Sequence, residues 1–154
     1  MEMVEAKLGR MVFARLFEDE ELLETITQVA QMATISAGFF FVIGTLKNAN
    51  LGFFREGEYE TTEKNQPLEI VSCLGNISLR ENKIFAHAHI AVSDDKGNVF
   101  GGHVMPGCII GVTGELTLVE GKDIDLVRKF DQRAKLYMWS LKKQAGQPRK
   151  KRVS

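Results

Sequence analysis

The spacing of apolar residues changes character twice near the start of the chain. "RMVFARLF", Arg10 to Phe17, is rich in β-branched and aromatic residues and predicts a strand. In the following "EDEELLETITQVAQMATISAG", Leu22, Ile26, Val29, Ala30 and Ala33 recur at helical spacing, which predicts one amphipathic helix. Asp19 is the candidate N-cap, and Glu20 and Glu21 fall in the first turn, facing the positive end of the helix dipole. Gly38 is the candidate stop.

Beyond Gly38 the pattern is strand after strand. "FFFVIGTLKN" is apolar on both faces and predicts a central strand covered on both sides. "NLGFF" and "GEYETT" flank a turn at Arg55 to Gly57. In "PLEIVSCLGNISL", Leu68, Ile70 and Ser72 share one side while Glu69, Val71 and Cys73 share the other, and Gly75 marks a bulge or bend. "KIFAHAHIAV" and "VFGGHVM" flank the turn-rich "SDDKGN". "CIIGVTGELTLVE" is a long strand that Gly111 and Gly114 can bend, and "KLYMWSL" is a last strand. "DIDLVRKFDQRA" fits a short helix or a strand and loop equally well. One helix with about eight short strands is an α+β class, a mostly antiparallel β-sheet with one main helix packed on a face.

Composition narrows the picture. At 154 residues the chain is one domain by length. Lys and Arg total 20, as do Asp and Glu, so no whole-molecule attraction draws it to nucleic acid. The charge is nonetheless uneven. Residues 142–154, "KKQAGQPRKKRVS", hold six Lys or Arg and no acid, leaving 14 basic against 20 acidic residues in the body, 1–141. This end lacks docking apolar residues and is expected to be a disordered tail. It serves either as a solubilising end or as a polyanion-binding arm, with Arg149, Lys150, Lys151 and Arg152 as the candidate nucleic-acid contacts. Cys73 and Cys108 have no Cys-x-x-Cys spacing and sit in apolar runs, so they are expected as buried free thiols. No secretion signal opens the chain, and "GFFFVIGTL" is too short to span a bilayer, so a soluble cytoplasmic protein is expected, with no membrane partner.

The histidines carry the candidate chemistry. All three lie between Phe85 and Cys108. If "KIFAHAHIAV" is a strand, Ile84, Ala86, Ala88, Ile90 and Val92 share an apolar face, and Phe85, His87, His89 and Ala91 share the other. A loop from Asp94 to Asn98 then places Ser93 opposite Val99 and His89 opposite His103. Slipping the register by one residue would send His103 to the far face. Gly101 and Gly102 would leave space beside the imidazoles. Three converging neutral imidazoles suit a divalent metal, zinc best, and leave a fourth position open. The bland alternative is three surface or hydrogen-bonded histidines gathered by chance.

"PLEIVSCLGNISL" followed by "FAHAHIAVSDDKGNVFGGHVMPGCIIGVTGELTL" resembles the plants-and-prokaryotes conserved (PPC) domain, over about Arg10 to Leu141. The resemblance rests most on Leu68-Glu69-Ile70, Gly75, the His-x-His, "DDKGNVFGGH" and Gly114-Glu115. It implies an antiparallel sheet with one helix, assembled as a homotrimer. It also implies metal binding in stand-alone prokaryotic members, through histidines that fall here on His87, His89 and His103. In plants the domain follows AT-hooks in nuclear DNA-binding proteins, whereas "GQPRKK" here is no AT-hook. Arg15 matches a recurrent arginine of the prokaryotic members, placed either to bind an anion near the site or to pair with Glu69. Three functions follow: a DNA-associated regulatory module holding a metal, a small metalloenzyme, and a sensor of a metal or small ligand. The enzyme would need a base, for which Glu69 and Glu115 are candidates. The lack of any nucleophile–base pair or phosphate loop weighs against it.

Overall fold

The computed structural model describes residues 1–141, which form nine strands and one helix. In chain order these are β1 (Lys7–Phe17), α1 (Leu22–Met32), β2 (Gly38–Arg55), β3 (Glu58–Lys64), β4 (Leu68–Arg80), β5 (Lys83–Ser93), β6 (Val99–Val104), β7 (Ile109–Lys122), β8 (Val127–Asp131) and β9 (Leu136–Trp139). The strands make one sheet in the order β1-β7-β2-β6-β5-β4-β8-β9, with β3 paired on β2. Every pairing is antiparallel except a short parallel contact between β4 and β8. The expected class, α+β with a mostly antiparallel sheet and a single helix, is what the chain adopts.

β2 is the spine. Its first half runs between β7 and β4, and its second half meets β3 and β6. Because β4 pairs with β5 and β5 with β6, these four strands close into a ring. α1 packs chiefly on β5. It buries Leu22, Ile26 and Ala30 in the core that also holds Ala86, Ala88, Ile90 and Val92. The two alanines leave room for the helix backbone to approach.

Both helix ends differ from the sequence reading. The N-cap is Glu21, whose carboxylate accepts from the Glu24 amide at 2.7 Å, while Asp19 is left-handed at φ 71°. The helix stops at Met32, before Gly38. Thr34 turns left-handed at φ 55°, its N–H donates to the Gln31 carbonyl, and the Ile35 N–H reaches back to the Ala30 carbonyl. That is a Schellman ending, fixed by Ile35 plugging into the core rather than by a glycine.

Two strand expectations are also corrected. β2 is not covered on both sides within the chain. Phe40 and Val42 point into the core, whereas Phe39, Phe41 and Ile43 point out with Phe13, Phe17 and Leu74, because the lone helix covers one face only. In β4 a register shift between Ile70 and Ser72 changes the alternation. Cys73 therefore joins Leu68 and Ile70 inside, and the irregularity lies at Val71 rather than at Gly75. Gly75 serves close approach, since a Cβ there would lie 2.2 Å from the Phe40 ring and 2.4 Å from the His87 carbonyl. The ambiguous segment after β7 resolves as strand β8 and a turn. Both thiols are free and buried, as expected.

Candidate metal centre

The β5–β6 hairpin has the predicted register. Ser93 faces Val99, and His89 faces His103. Asp94 organises the five-residue loop: one carboxylate oxygen accepts from the Lys96 amide at 3.0 Å and the Asn98 amide at 2.8 Å. Gly97 supplies the left-handed residue at φ 78°. The three rings converge, with centroids 5.4 Å (His87–His89), 4.9 Å (His87–His103) and 5.3 Å (His89–His103) apart. One ligand nitrogen from each lies within 4.8 Å of the others. His87 and His103 are half-buried and His89 is exposed.

The surroundings hold the His87 and His103 rings neutral. The His87 pKa is lowered to about 4, by burial first and then by Arg128 and the other two histidines. That of His103 is lowered to about 4 by burial, then by His89 and Arg128. His103 stacks on Tyr59 with centroids 4.8 Å apart, and its buried Nδ1 has no hydrogen-bond partner among the described residues. A buried, unpartnered nitrogen on a neutral imidazole that belongs to a histidine cluster is what a divalent metal needs, so the donor set fits. Arg128 attaches one condition. Its Nη2 donates to His87 Nδ1 at 3.2 Å, which puts the proton of the neutral ring on Nε2. Metal ligation by His87 therefore requires Arg128 to turn away, either to free Nδ1 as the ligand or to let Nδ1 take the proton so that Nε2 can ligate.

The two neighbouring glycines have a different purpose from the one expected. A Cβ at Gly101 would lie 2.9 Å from the Ile90 carbonyl, and one at Gly102 would lie 2.9 Å from the Gly52 carbonyl. They let strands approach rather than making space for a ligand.

Arg128, Asn76 and Tyr59 were not singled out from sequence. Arg128 lay in the ambiguous segment. Asn76 sits directly opposite His87 in the β4–β5 register. That register follows from the two-residue turn Glu81–Asn82, left-handed at φ 53° and 61°, which lacks the glycine that usually marks such a turn. Tyr59 reaches the site because β3 folds back on β2.

The other sequence candidates stand apart. Arg15 on β1 donates to Thr113 Oγ1 at 3.3 Å and lies over the Phe17 ring at 5.3 Å, and it makes no ion pair among the described residues. Its expected pairing with Glu69 is not made, because β7 and β2 separate β1 from β4. Glu69 pairs in register with Thr45 and Ser93 and lines a separate cavity beside Lys47. Glu115 faces Arg15 and Ile43, on strands that do not carry the histidines. Arg149, Lys150, Lys151 and Arg152 lie outside the described residues.

Comparison with known proteins agrees with the fold. The family model described as the Plants and Prokaryotes Conserved (PCC) domain matches residues 3–122. A PPC protein of Pyrococcus horikoshii is 34% identical, with a TM-score of 0.84 over 94% of this chain and 100% of that one. The metal-containing protein AF0104 of Archaeoglobus fulgidus is 28% identical, with a TM-score of 0.84 over 91% of this chain and 99% of that one. The bifunctional protein GlmU of Synechococcus sp. (strain JA-2-3B'a(2-13)) is 29% identical over 136 residues, 87% of this chain. The chain spans only 20% of that relative's length.

Proposed function

The chain belongs to the Plants and Prokaryotes Conserved domain family, and from that premise we propose that it is a DNA-associated regulatory module whose three histidines hold a divalent metal, zinc best. The observation that carries the metal is the convergence of His87, His89 and His103, one nitrogen from each within 4.8 Å, on the predicted register. Neutral, borderline-soft imidazoles select zinc over the hard cations. The similarity to a metal-containing archaeal protein supports the same reading. When bound, a metal on three protein ligands would supply an open coordination position. This chain's own residues do the rest: His87 and His103 offer unprotonated rings, Tyr59 fixes the His103 plane, and exposed His89 closes the set.

A homotrimer is part of the proposal. Phe13, Phe39, Phe41, Ile43 and Leu74 make an uncovered apolar face on the sheet, and Leu74 lies directly opposite His89. Contiguous exposed apolar surface of this kind marks an association site. Three subunits would also gather three basic tails, so that weak phosphate contacts from Arg149, Lys150, Lys151 and Arg152 add by avidity.

Elemental analysis of the purified protein tests the metal: about one zinc per chain is expected in the wild type and none in His87→Ala or His103→Ala. Metal retained in both variants would overturn the site. Light scattering tests assembly, with three times the 17.3 kDa chain mass expected and a monomer overturning it. Salt-sensitive DNA binding should vanish on deletion of residues 142–154, and binding untouched by that deletion would exclude the tail.

A further inference from the structure

The β8–β9 hairpin encloses something besides the histidines. Between it and the His87–His103 floor lies a cavity of about 810 Å³. Its wall is rich in aromatic side chains, among them Tyr59, Phe85, Tyr137 and Trp139. Its charges do not balance. Arg80, Arg128 and Lys135 line it against a single carboxylate, Glu58.

Arg128 is the anomaly. Its side chain is half-buried, and it makes no ion pair among the described residues. Its hydrogen bonds all go to neutral groups: Ser78 Oγ at 2.9 Å, the Tyr137 carbonyl at 3.0 Å, Asn76 Oδ1 at 2.9 Å and His87 Nδ1 at 3.2 Å. Arg80, a second guanidinium, lines the same cavity. Removing a guanidinium from water beside another one is costly unless an anion joins them. The rings also hold the two arginines flat: Arg80 lies over Tyr137 at 3.9 Å, and Arg128 over Phe85 and Trp139 at 5.7 Å each.

We propose that this cavity binds a small aromatic anion, its flat body between the aromatic walls and its carboxylate or phosphate oxygens on Arg128 and Arg80. Pockets of this size suit small organic ligands, and planar guanidiniums match both kinds of oxyanion. Stacking supplies area, and the paired arginines supply selection for charge. The site goes beyond the metal reading and does not need it. Much of its wall comes from β8 and β9, which lie past the residues matched by the family model.

The chain's one tryptophan is Trp139, on the cavity wall, so its fluorescence reports occupancy directly. The full chain would be titrated in chelator with benzoate, with adenosine monophosphate, and with neutral benzamide. A saturable change with one or both anions is expected, identifying the carboxylate or the phosphate source, with benzamide at least tenfold weaker. Arg128→Lys and Arg80→Gln should each weaken the anion tenfold or more while leaving the circular dichroism spectrum unchanged. Arg80→Gln is the milder variant, because it keeps the Arg128 hydrogen bonds to Ser78 and Asn76 and removes the stacking of Arg80 on Tyr137. No saturable change with either anion would overturn the proposal, as would benzamide binding equally well or affinity unchanged in both variants. Chelator keeps this test separate from the zinc analysis, so either reading can fail alone.

Discussion

Two hairpins meet at the candidate site and are built on opposite principles. β5–β6 belongs to the closed ring of strands, and its inward face, Ala86, Ala88, Ile90 and Val92, is core. β8–β9 joins the sheet through two parallel pairs, Leu79–Val127 and Arg80–Arg128, and buries only the flanking Leu126. What fastens it to the sheet is polar: the Arg128 hydrogen bonds to Ser78 and Asn76 and the Leu79 amide on the Leu126 carbonyl at 2.8 Å. The geometry of the three histidines is thus set by a strand packed on the apolar core. The cap over it is held by bonds that water can replace, and local opening is drawn from such low-stability segments.

The largest effect should come from disturbing the packed hairpin. Gly75→Ala would drive a methyl group into the Phe40 ring and the His87 carbonyl, the latter being backbone that cannot rotate away. A loss of about 1–3 kcal/mol is expected in urea denaturation, where overpacking has that typical cost. A midpoint equal to that of the wild type would mean that the β4–β5 ladder is looser than described.

A pH effect of comparable size is seated in the same hairpin. His87 and His103 are held neutral in the fold, with pKa values lowered to about 4, against an ordinary value of 6.5. The unfolded chain therefore binds protons first. Their contribution is complete above pH 6.5 and is lost as pH falls from there toward 4, where the folded protein protonates too. In chelator, the metal-free protein should lose on the order of a few kcal/mol across that window. The double variant His87→Gln/His103→Gln should show a shallower slope, and equal slopes would contradict the burial of the rings.

The same contrast explains what could be read from sequence. The histidine hairpin was legible to the residue, because alternation in "KIFAHAHIAV" and the Asp, Gly and Asn of "SDDKGN" are local signals that agree. β8–β9 was not. "DIDLVRKFDQRA" has few apolar residues to set a period, since almost nothing in it is buried. The helix ends were misread because Thr34 and Ile35 do through tertiary packing what Gly38 promised locally. The double covering of "FFFVIGTLKN" is not met within the described residues, where one helix covers one face of the sheet. Arg15 and Glu69 could not be separated without knowing that β7 and β2 run between their strands.

A more local effect is expected at the polar fastening. Arg128→Met strips Ser78 of its hydrogen-bond donor, and Ser78 is fully buried. Leaving such a group unpaired costs about 1–3 kcal/mol. Because the fastening is local, the change should be read mainly as faster hydrogen exchange at the Leu79 and Ser140 amides, with little change in β5 and β6. The variant also frees His87 Nδ1, so zinc should bind several-fold more tightly in competition with a chelating dye. Uniformly faster exchange across the sheet would erase the distinction between framework and cap.

The finest test exchanges the turns. Both hairpins begin on an Asp that organises the loop with its carboxylate: Asp94 accepts from Lys96 and Asn98, and Asp131 accepts from Arg133 and Ala134 at 2.9 and 2.8 Å. Each loop also needs one left-handed residue. In β5–β6 that residue is Gly97 at φ 78°, but in β8–β9 it is Lys135 at φ 58°. A side chain in this region costs about 1 kcal/mol, which glycine avoids. Gly97→Ala should therefore lower global stability by about 1 kcal/mol, since no neighbour within 4 Å of the new methyl adds a clash. Lys135→Gly should work in the opposite sense, and only locally. It should slow exchange of the β8–β9 amides by several-fold while the urea midpoint stays put, because global unfolding passes through a state in which that hairpin is already open. If Lys135→Gly instead raised the midpoint by as much as Gly97→Ala lowers it, the two hairpins would unfold as one unit, and the cap would share the rigidity of the histidine framework.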